Sequence, residues 1–279
     1  MAVSIVTDST SDITSELAKK LDVTVIPLTV FFGRKSYLDR IEMTTDEFYR
    51  RLSTESIFPT TTQPAPAAFT EVYQKILAKG DDVLVIVISS KLSGTFQSAT
   101  TAISLAGAEG RVQVIDSLST AMGLGVQVIA AAKLAQRGFA LDQVTKAASE
   151  YVPRSHVIVL FDTLKYLAKG GRIGKAQGLL GAMLSVKPIL TVKDGVVHPL
   201  TRLRSMAAGE DYLFNFVKGF SNIAELAVEH ATAPKAADAL TARLGAIYPA
   251  ERIYRSTMSP VLGTYMGPNV LSVSVLESS

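Results

Sequence analysis

The stretch Val83-Leu84-Val85-Ile86-Val87-Ile88-Ser89-Ser90-Lys91-Leu92-Ser93-Gly94-Thr95 decides the fold of this chain. Its first part, residues 83–88, is apolar on both faces, as the central strand of a parallel sheet must be. The loop 89–95 then leads into a helical stretch over 96–105. A buried strand, a loop and a helix form the repeating unit of α/β proteins, in which ligands bind at the carboxyl ends of the strands.

The same unit recurs around this stretch. Short apolar segments at 3–7 and 112–115 predict further strands, each followed by a helical pattern, which gives a doubly wound arrangement. In the second half, the pair Asp194-Gly195 lies between two β patterns and predicts a hairpin. We therefore predict an α/β protein of two domains. A Rossmann-like parallel-sheet domain covers 1–153, and an α+β sandwich domain covers 154–279.

Local patterns predict further elements. Pro27 interrupts an apolar stretch over 23–30 and places that strand at an edge or an irregular turn. The run 60–64, Thr-Thr-Thr-Gln-Pro, predicts a polar turn before a helix over 67–78. A further helix is expected over 176–184.

Composition excludes several classes of protein. Of the 279 residues, 48% are hydrophobic and 19% are charged, so the chain can fill sizeable cores and is not intrinsically disordered. The net charge is +3, without a basic run, which argues against nucleic-acid binding. There is no Cys, so a disulfide scaffold, a thiolate zinc site and a cysteine nucleophile are excluded. The beginning lacks a signal-peptide pattern, and the longest apolar run is too short to span a membrane, so we expect a cytoplasmic protein.

The sequence does not fit either of two common enzyme signatures. The segment 170–175 has three residues between Gly170 and Gly174, and Ala176 follows Lys175, so it fits neither the spacing nor the hydroxyl of a phosphate-binding loop. The surroundings of Ser93 do not fit a nucleophile elbow. The three histidines form no metal-binding pair, and we expect neither catalytic nor metal-binding residues.

Several polar motifs remain, and each has an ordinary structural interpretation. The sequence Ser93-Gly94-Thr95 can bind an anion at a helix start, or it can simply cap that helix. The threonines of 60–64 can bind a ligand or form a turn. The segment 170–175 can be a flexible loop, Arg202-Leu203-Arg204 an exposed strand edge, and 259–269 a long connection.

Taken together and in this order, the motifs resemble the DegV family of bacterial fatty-acid-binding proteins, which includes the carrier subunits of the fatty acid kinase system. The resemblance extends from Val3 to the final strand. It rests on Thr61-Thr62-Gln63-Pro64, Ser90-Lys91-Leu92-Ser93-Gly94-Thr95, Gly170-Gly171-Arg172-Ile173 and Lys187-Pro188-Ile189-Leu190.

The resemblance implies that one long-chain fatty acid, such as palmitate or oleate, is buried between the two domains without any cofactor. By motif match, the carboxylate meets the hydroxyls of Thr61, Thr62 and Ser93 and the backbone of Gly94 and Thr95. In the kinase systems, a separate kinase subunit phosphorylates the bound acid, and the carrier itself performs no chemistry. The resemblance thus implies lipid binding, with presentation of the carboxylate to a kinase or a role in lipid transport.

One position departs from the family pattern. Tyr265 stands where the family commonly has a His near the carboxylate, and a tyrosine can donate a hydrogen bond but is neutral at pH 7. The change is compatible with lipid binding and weakens the case for a kinase carrier. We expect Tyr265 at the fatty acid and Arg172, Arg202 and Arg204 at the rim, facing a partner. The alternative is a hydrolase or phosphotransferase that uses Ser93 or the 170–175 loop.

Overall fold

The computed structural model of the chain describes residues 2–182 and 186–278. The strands are β1 (Val3–Asp8), β2 (Val23–Ile26), β3 (Thr29–Phe32), β4 (Lys35–Leu38), β5 (Thr60–Thr62), β6 (Asp82–Val87), β7 (Val112–Asp116), β8 (Ser155–Leu160), β9 (Lys187–Lys193), β10 (Val196–Leu203), β11 (Ile223–Ala231), β12 (Ile253–Thr257) and β13 (Val270–Glu277). The α-helices are α1 (Ser15–Leu21), α2 (Thr45–Thr54), α3 (Pro66–Leu77), α4 (Thr95–Ala106), α5 (Ala121–Gln136), α6 (Leu141–Tyr151), α7 (Lys165–Gly170), α8 (Met206–Lys218), α9 (Pro234–Leu244) and α10 (Pro260–Met266).

The first sheet is parallel and has the strand order β2-β1-β6-β7. Strand β6 lies inside this sheet, and the side chains from Val83 to Val87 are fully buried, which confirms the predicted central strand. Strand β2 lies at the edge and ends at Ile26, just before Pro27. The proline therefore marks the point where the chain leaves this sheet, and β3 belongs to another sheet.

A small separate sheet has the order β4-β3-β5. The prediction of a polar turn over residues 60–64 is wrong for its first part, because Thr60–Thr62 form strand β5 and pair antiparallel with β3. Thr61 lies opposite Val30 in this ladder. Threonine is β-branched and suits a strand. The hydroxyls of these threonines are consequently displayed from a fixed strand.

The second sheet is mixed and has the order β10-β9-β8-β13-β11-β12. Its pairs are antiparallel except for β11 with β12. The predicted hairpin between β9 and β10 is confirmed, and its turn residues Asp194 and Gly195 have φ angles of 51° and 78°, which suit a tight hairpin turn. The predicted fold class, with a parallel sheet first and a mixed sheet second, is confirmed.

Helix α5 lies between the two sheets. Residues from Ala121 to Ala132 in this helix are buried, as expected for a helix that is apolar all round. A Cβ atom on Gly123 would lie 2.9 Å from Val157 Cβ, and one on Gly125 would lie 2.5 Å from the Ser11 carbonyl oxygen. These glycines let β8 and the turn after β1 approach the helix closely, so α5 joins the two halves.

The predicted domain boundary at 153/154 falls in a 3₁₀ turn, Val152–Arg154, between α6 and β8. One apolar cluster nevertheless combines both halves: it joins Leu28, Val30 and Phe48 to Val157 and Val270. The small sheet and α2 therefore pack with the second half of the chain. The boundary remains a prediction.

The end of the glycine-rich segment differs from the α-helix expected over 176–184. Gly174–Ala182 form a 3₁₀ helix, and residues 183 and 184 lie outside the described residues. The turn-rich stretch 259–269 contains a true helix, α10, which Ser259 caps by accepting a hydrogen bond from the Leu262 amide. Over the described residues, the helices are too short or too polar to cross a membrane.

Candidate functional site

A cavity lies where several elements of both halves converge. It is bordered by the residues that follow β1 and β6, by β5, by α7 and by α10, and it encloses about 580 Å³ between the atoms, its open mouth included. Its walls are formed by Thr10, Leu28, Thr61, Thr62, Gln63, Ile88, Leu92, Ser93, Thr120, Leu167, Arg172, Val197, Val261, Leu262, Tyr265 and Met266.

Several polar groups line the cavity, and some of them are in direct contact. The Thr61 hydroxyl lies 2.5 Å from the Tyr265 hydroxyl, so a strand of the first half is hydrogen-bonded to a helix of the second. Thr62 and Ser93 line the same cavity. The Ser93 hydroxyl lies 2.9 Å from that of Thr95, which is itself fully buried. The part of the cavity lined by Thr61, Thr62, Ser93 and Tyr265 therefore presents several hydroxyls and is called its polar end.

These hydroxyls contribute little to helix capping. Helix α3 begins at Pro66 with Ala65 as its N-cap, so neither Thr61 nor Thr62 caps it. Gly94 is the N-cap of α4 and makes no side-chain capping bond, while Ser93 Oγ accepts a long hydrogen bond of 3.3 Å from the Thr95 amide. Ser93 thus supports the helix start in part, and the threonine hydroxyls are free of any capping role.

Two glycines allow close contacts around the polar end. A Cβ atom on Gly94 would lie 2.8 Å from Gln63 Nε2, and one on Gly170 would lie 2.4 Å from Tyr265 Cδ1. Gly94 and Thr95 themselves stand beside the cavity rather than in its lining. Gln63 also lines the cavity, although it was not among the predicted site residues. Its position directly after Thr61 and Thr62 in the same motif was the signal that could have identified it.

The predicted rim arginines separate into two groups. Arg172 is exposed and lines the cavity; its guanidinium lies 5.3 Å from the centroid of the Tyr265 ring and donates to the carbonyl oxygens of Gly170 and Leu92. Arg202 lies on the edge strand β10, and Arg204 follows that strand. Both are exposed and lie outside the cavity lining. The structure therefore brings Arg172 to Thr61, Thr62, Ser93 and Tyr265, but not Arg202 or Arg204.

Another part of the cavity is mainly apolar, with the buried hydroxyl of Thr120 as its polar group. It continues into a smaller cavity of about 300 Å³, and the two share Thr120, Leu167, Val197 and Met266. The smaller cavity extends under β8 and β9, where its remaining walls are Val157, Val159, Phe161, Leu190, Thr191 and Val192. Sequence reasoning did not identify these residues, because an apolar residue facing a cavity has the same pattern as one facing a filled core.

A buried carboxyl group organises the wall next to the polar end. Asp8 Oδ1 accepts hydrogen bonds from the Thr10 amide and hydroxyl, and Oδ2 accepts from the Ile88 amide at 2.8 Å. Thr10 and Ile88 both line the cavity. Burial raises the pKa of Asp8, although these hydrogen bonds act in the opposite direction. Asp8 thus fixes the ends of β1 and β6 relative to each other.

Two further buried carboxyl groups hold the helix that carries Tyr265. Asp12 accepts from the Ser259 amide at 3.2 Å, and Asp39 accepts from the Val261 amide at 3.3 Å. Burial raises the pKa of Asp39 to about 7. It also raises the pKa of Asp12 well above its usual range, because neighbouring Glu229 adds to the effect of burial while Arg40 opposes it. The start of α10 is therefore held in place by Asp12 and Asp39, two acidic residues from the first half of the chain.

Among the described residues, Ser93 has no histidine or carboxylate as a hydrogen-bond partner. Hydrogen bonds to the Ser93 hydroxyl come from Thr95 alone among the described residues, and His156, His198 and His230 lie outside the cavity lining. The described residues include no group of three or more His, Cys, Asp or Glu side chains that could hold a metal ion. A serine without a neighbouring base is a weak nucleophile, so the geometry favours binding over hydrolysis.

Comparisons with known proteins agree with the resemblance. A family model described as an uncharacterised protein of the DegV family matches residues 2–278. The chain is 34% identical over 275 residues to a DegV domain-containing protein of Caldanaerobacter subterraneus subsp. tengcongensis, with 97% of each covered. Its structure is similar to a DegV family protein from Thermus thermophilus described as binding fatty acid, with a TM-score of 0.92, 32% identity and 100% of both chains covered. DegV of Bacillus subtilis, described as a fatty acid binding protein, gives a TM-score of 0.88 at 30% identity, again with 100% of both chains covered.

Proposed function

The chain belongs to the DegV family, and we propose that it binds one long-chain fatty acid, such as palmitate or oleate, in the cavity between its two halves. The observation that carries the proposal is the polarity of that cavity. The hydroxyls of Thr61, Thr62 and Ser93 line it outside the part that it shares with a mostly apolar space beneath β8 and β9. This matches a ligand with one polar head and a long hydrocarbon tail.

The tail supplies most of the binding free energy. Burying about 14 methylene groups at roughly 0.8 kcal/mol each gives on the order of 11 kcal/mol before the costs of association. The apolar walls, among them Leu167, Val197 and Met266, offer the surface for this burial. A ligand held in this way should remain bound through purification.

The head group requires hydrogen bonds, because a buried carboxylate without partners is costly. The hydroxyls of Thr61 and Tyr265 are hydrogen-bonded to each other, which leaves one of their two protons to donate to the carboxylate, and Thr62 and Ser93 line the same cavity. The guanidinium of Arg172 lies at the polar end and adds a positive charge near the mouth. We assign the carboxylate to this end, with Gly94 and Thr95 shaping the loop behind Ser93.

We further propose that the protein is a carrier without catalytic activity of its own and needs no cofactor. The missing base at Ser93 supports this, and turnover of an ester or of ATP by the pure protein would revive the enzyme alternative. A cytoplasmic location remains a prediction.

Presentation of the carboxylate to a fatty acid kinase subunit is a second, finer proposal. The observation in its favour is the exposed guanidinium of Arg172 at the cavity mouth, where it can meet an acidic surface or a phosphate. Arg202 and Arg204 remain candidates for a wider partner surface. Tyr265 counts against efficient phosphorylation, because its neutral phenol cannot balance the charge of a developing phosphate.

Ligand uptake tests the lipid proposal. Delipidated protein should take up labelled palmitate at one equivalent per chain, and unlabelled oleate should displace it. A protein that takes up neither acid would refute the proposed function, whereas uptake blocked by Leu167→Phe would support the cavity as the location. The matched control is Leu105→Phe, because Leu105 is 59% exposed on α4 and lies outside both cavities.

A further inference from the structure

The cavity and the smaller cavity beside it share four lining residues and are together called the tunnel. The apolar end of the tunnel lies directly against a third cavity. This groove runs between β7, the end of α6 and the β9–β10 hairpin, and it encloses about 1500 Å³ between the atoms, open solvent included. Thr191 and Val192 line both the groove and the smaller apolar cavity. These two consecutive residues of β9 therefore form the partition between the end of the tunnel and the groove.

Within the partition, Val192 is the residue that packs with the apolar tunnel walls. Val192 packs with Leu190, Val157 and Val197 in one apolar cluster, so it belongs to the tunnel face of the second sheet. Thr191 is held in place by a hydrogen bond of 2.8 Å from its hydroxyl to the Val157 carbonyl oxygen. Val192 is half-buried rather than fully buried, as expected for a residue with a second space behind it.

Resting on the proposed function, we infer that Val192 sets the upper limit of acyl chain length. In the wild type, the terminal methyl group of the fatty acid meets the Val192 side chain, and a longer chain must displace that side chain or leave methylenes outside the tunnel. Truncation of Val192 joins the tunnel to the groove. Additional methylenes can then extend toward the apolar groove residues Val114, Leu118 and Val152.

The expected selectivity follows from the behaviour of apolar pockets, in which one methylene too many changes affinity by roughly 10- to 200-fold. We expect the wild type to bind a saturated C16 acid at least tenfold more tightly than a saturated C22 acid. Val192→Ala should reduce that ratio at least tenfold. Val192→Phe should shift the preference in the opposite direction, toward C14.

The experiment is a competition. Delipidated protein is incubated with an equimolar mixture of saturated C14, C16, C18, C20 and C22 acids, and the retained acids are extracted and quantified by mass spectrometry. Val159→Ala is the matched control, since Val159 lines the same small cavity without touching the groove. This variant widens the tunnel without lengthening it and should leave the C22 to C16 ratio unchanged.

The outcomes separate the inference from the proposal beneath it. A wild type that retains C22 as well as C16, or a ratio that Val192→Ala and Val192→Phe leave at the wild-type value, would overturn the assignment of Val192. Should Val192→Ala fail to fold, Val192→Phe and Val192→Leu still test it through the shift toward shorter chains. Retention of no acid by any variant would instead refute the fatty-acid site itself.

Discussion

The hydroxyl groups of Thr61 and Tyr265 lie 2.5 Å apart, although 204 positions separate them in the chain. One belongs to a small sheet in the first half, and the other to a short helix in the second. Their hydrogen bond therefore closes the polar end of the cavity across both halves. It also ties the position of the ligand head group to the relative position of β5 and α10.

Removing hydroxyls at this end should weaken binding without abolishing it. A hydrogen bond to a charged acceptor contributes about 1.5–3 kcal/mol, far less than the tail. We therefore expect Ser93→Ala, or Thr61→Ala with Thr62→Ala, to retain lipid but to release it roughly tenfold faster or more. Exchange of labelled palmitate measures the rate. Thr60→Ala is the control, because Thr60 lies on the same strand outside the cavity lining. Unchanged release in both Ser93→Ala and the Thr61→Ala, Thr62→Ala double variant would place the head group elsewhere.

Adding a methyl group at Gly170 should disturb Tyr265 without changing any hydroxyl. The new Cβ would lie 2.4 Å from Tyr265 Cδ1, so the ring must move and its bond to Thr61 must lengthen or break. We expect Gly170→Ala to increase the rate of palmitate release as much as Tyr265→Phe does. Gly178→Ala is the control, since a Cβ at Gly178 meets nothing within 4 Å. Equal release rates in Gly170→Ala and Gly178→Ala would contradict this role of the Tyr265 ring.

The pH dependence of stability should change when Asp39 is replaced. Burial raises its pKa from 3.8 to about 7. Between these two pH values, Asp39 keeps its proton in the folded state but has lost it in the unfolded chain. The contribution of Asp39 to stability is therefore greatest below pH 4 and is lost as the pH rises toward 7. Asp39→Asn should remove this loss, which is on the order of 2–4 kcal/mol. Thermal unfolding between pH 5 and pH 8 should show a smaller decline in the variant; parallel curves would contradict the assignment.

The fold was largely predictable because its main signals are local. The run from Val83 to Ile88 is apolar on both faces, and the Asp194-Gly195 pair suits a tight turn, so the central strand and the hairpin follow from neighbouring residues alone. Strand β5 was missed because it is stabilised by pairing with β3, a contact that three consecutive threonines do not reveal. Helix α10 was open to interpretation as a connection, because Pro260, Gly263 and Gly267 resemble turn residues when their packing is unknown.

The site was predictable only where motifs carried it. Thr61, Thr62, Ser93, Arg172 and Tyr265 came from the family resemblance, and the structure places all of them at one cavity. The buried carboxyl groups that support the site could not be identified, because their partners lie far along the chain. The tunnel walls were equally inaccessible, since no periodicity distinguishes a lining residue from a core residue.

If the protein is a kinase carrier, acyl-phosphate formation should depend on the exposed charge at the mouth of the cavity. If a kinase subunit docks here, Arg172→Glu should reduce acyl-phosphate formation far more than it reduces palmitate affinity, because it reverses an exposed charge. Tyr265→His should increase acyl-phosphate formation, since a histidine can carry a positive charge. The assay combines the palmitate-loaded protein, ATP and a purified kinase subunit, with Lys146→Glu on α6 as the charge-reversal control. A wild type that is fully phosphorylated and indifferent to Tyr265→His would refute this interpretation of Tyr265.

The most direct test of the central claim is to identify what the cavity holds. The purified protein is weighed by native mass spectrometry, then denatured and extracted with organic solvent, and the extract is analysed for acyl chains. We predict one equivalent of a long-chain fatty acid per chain, lost on denaturation and restored when delipidated protein is given labelled palmitate. An extract without a stoichiometric acyl chain, together with no uptake of palmitate, would contradict the account.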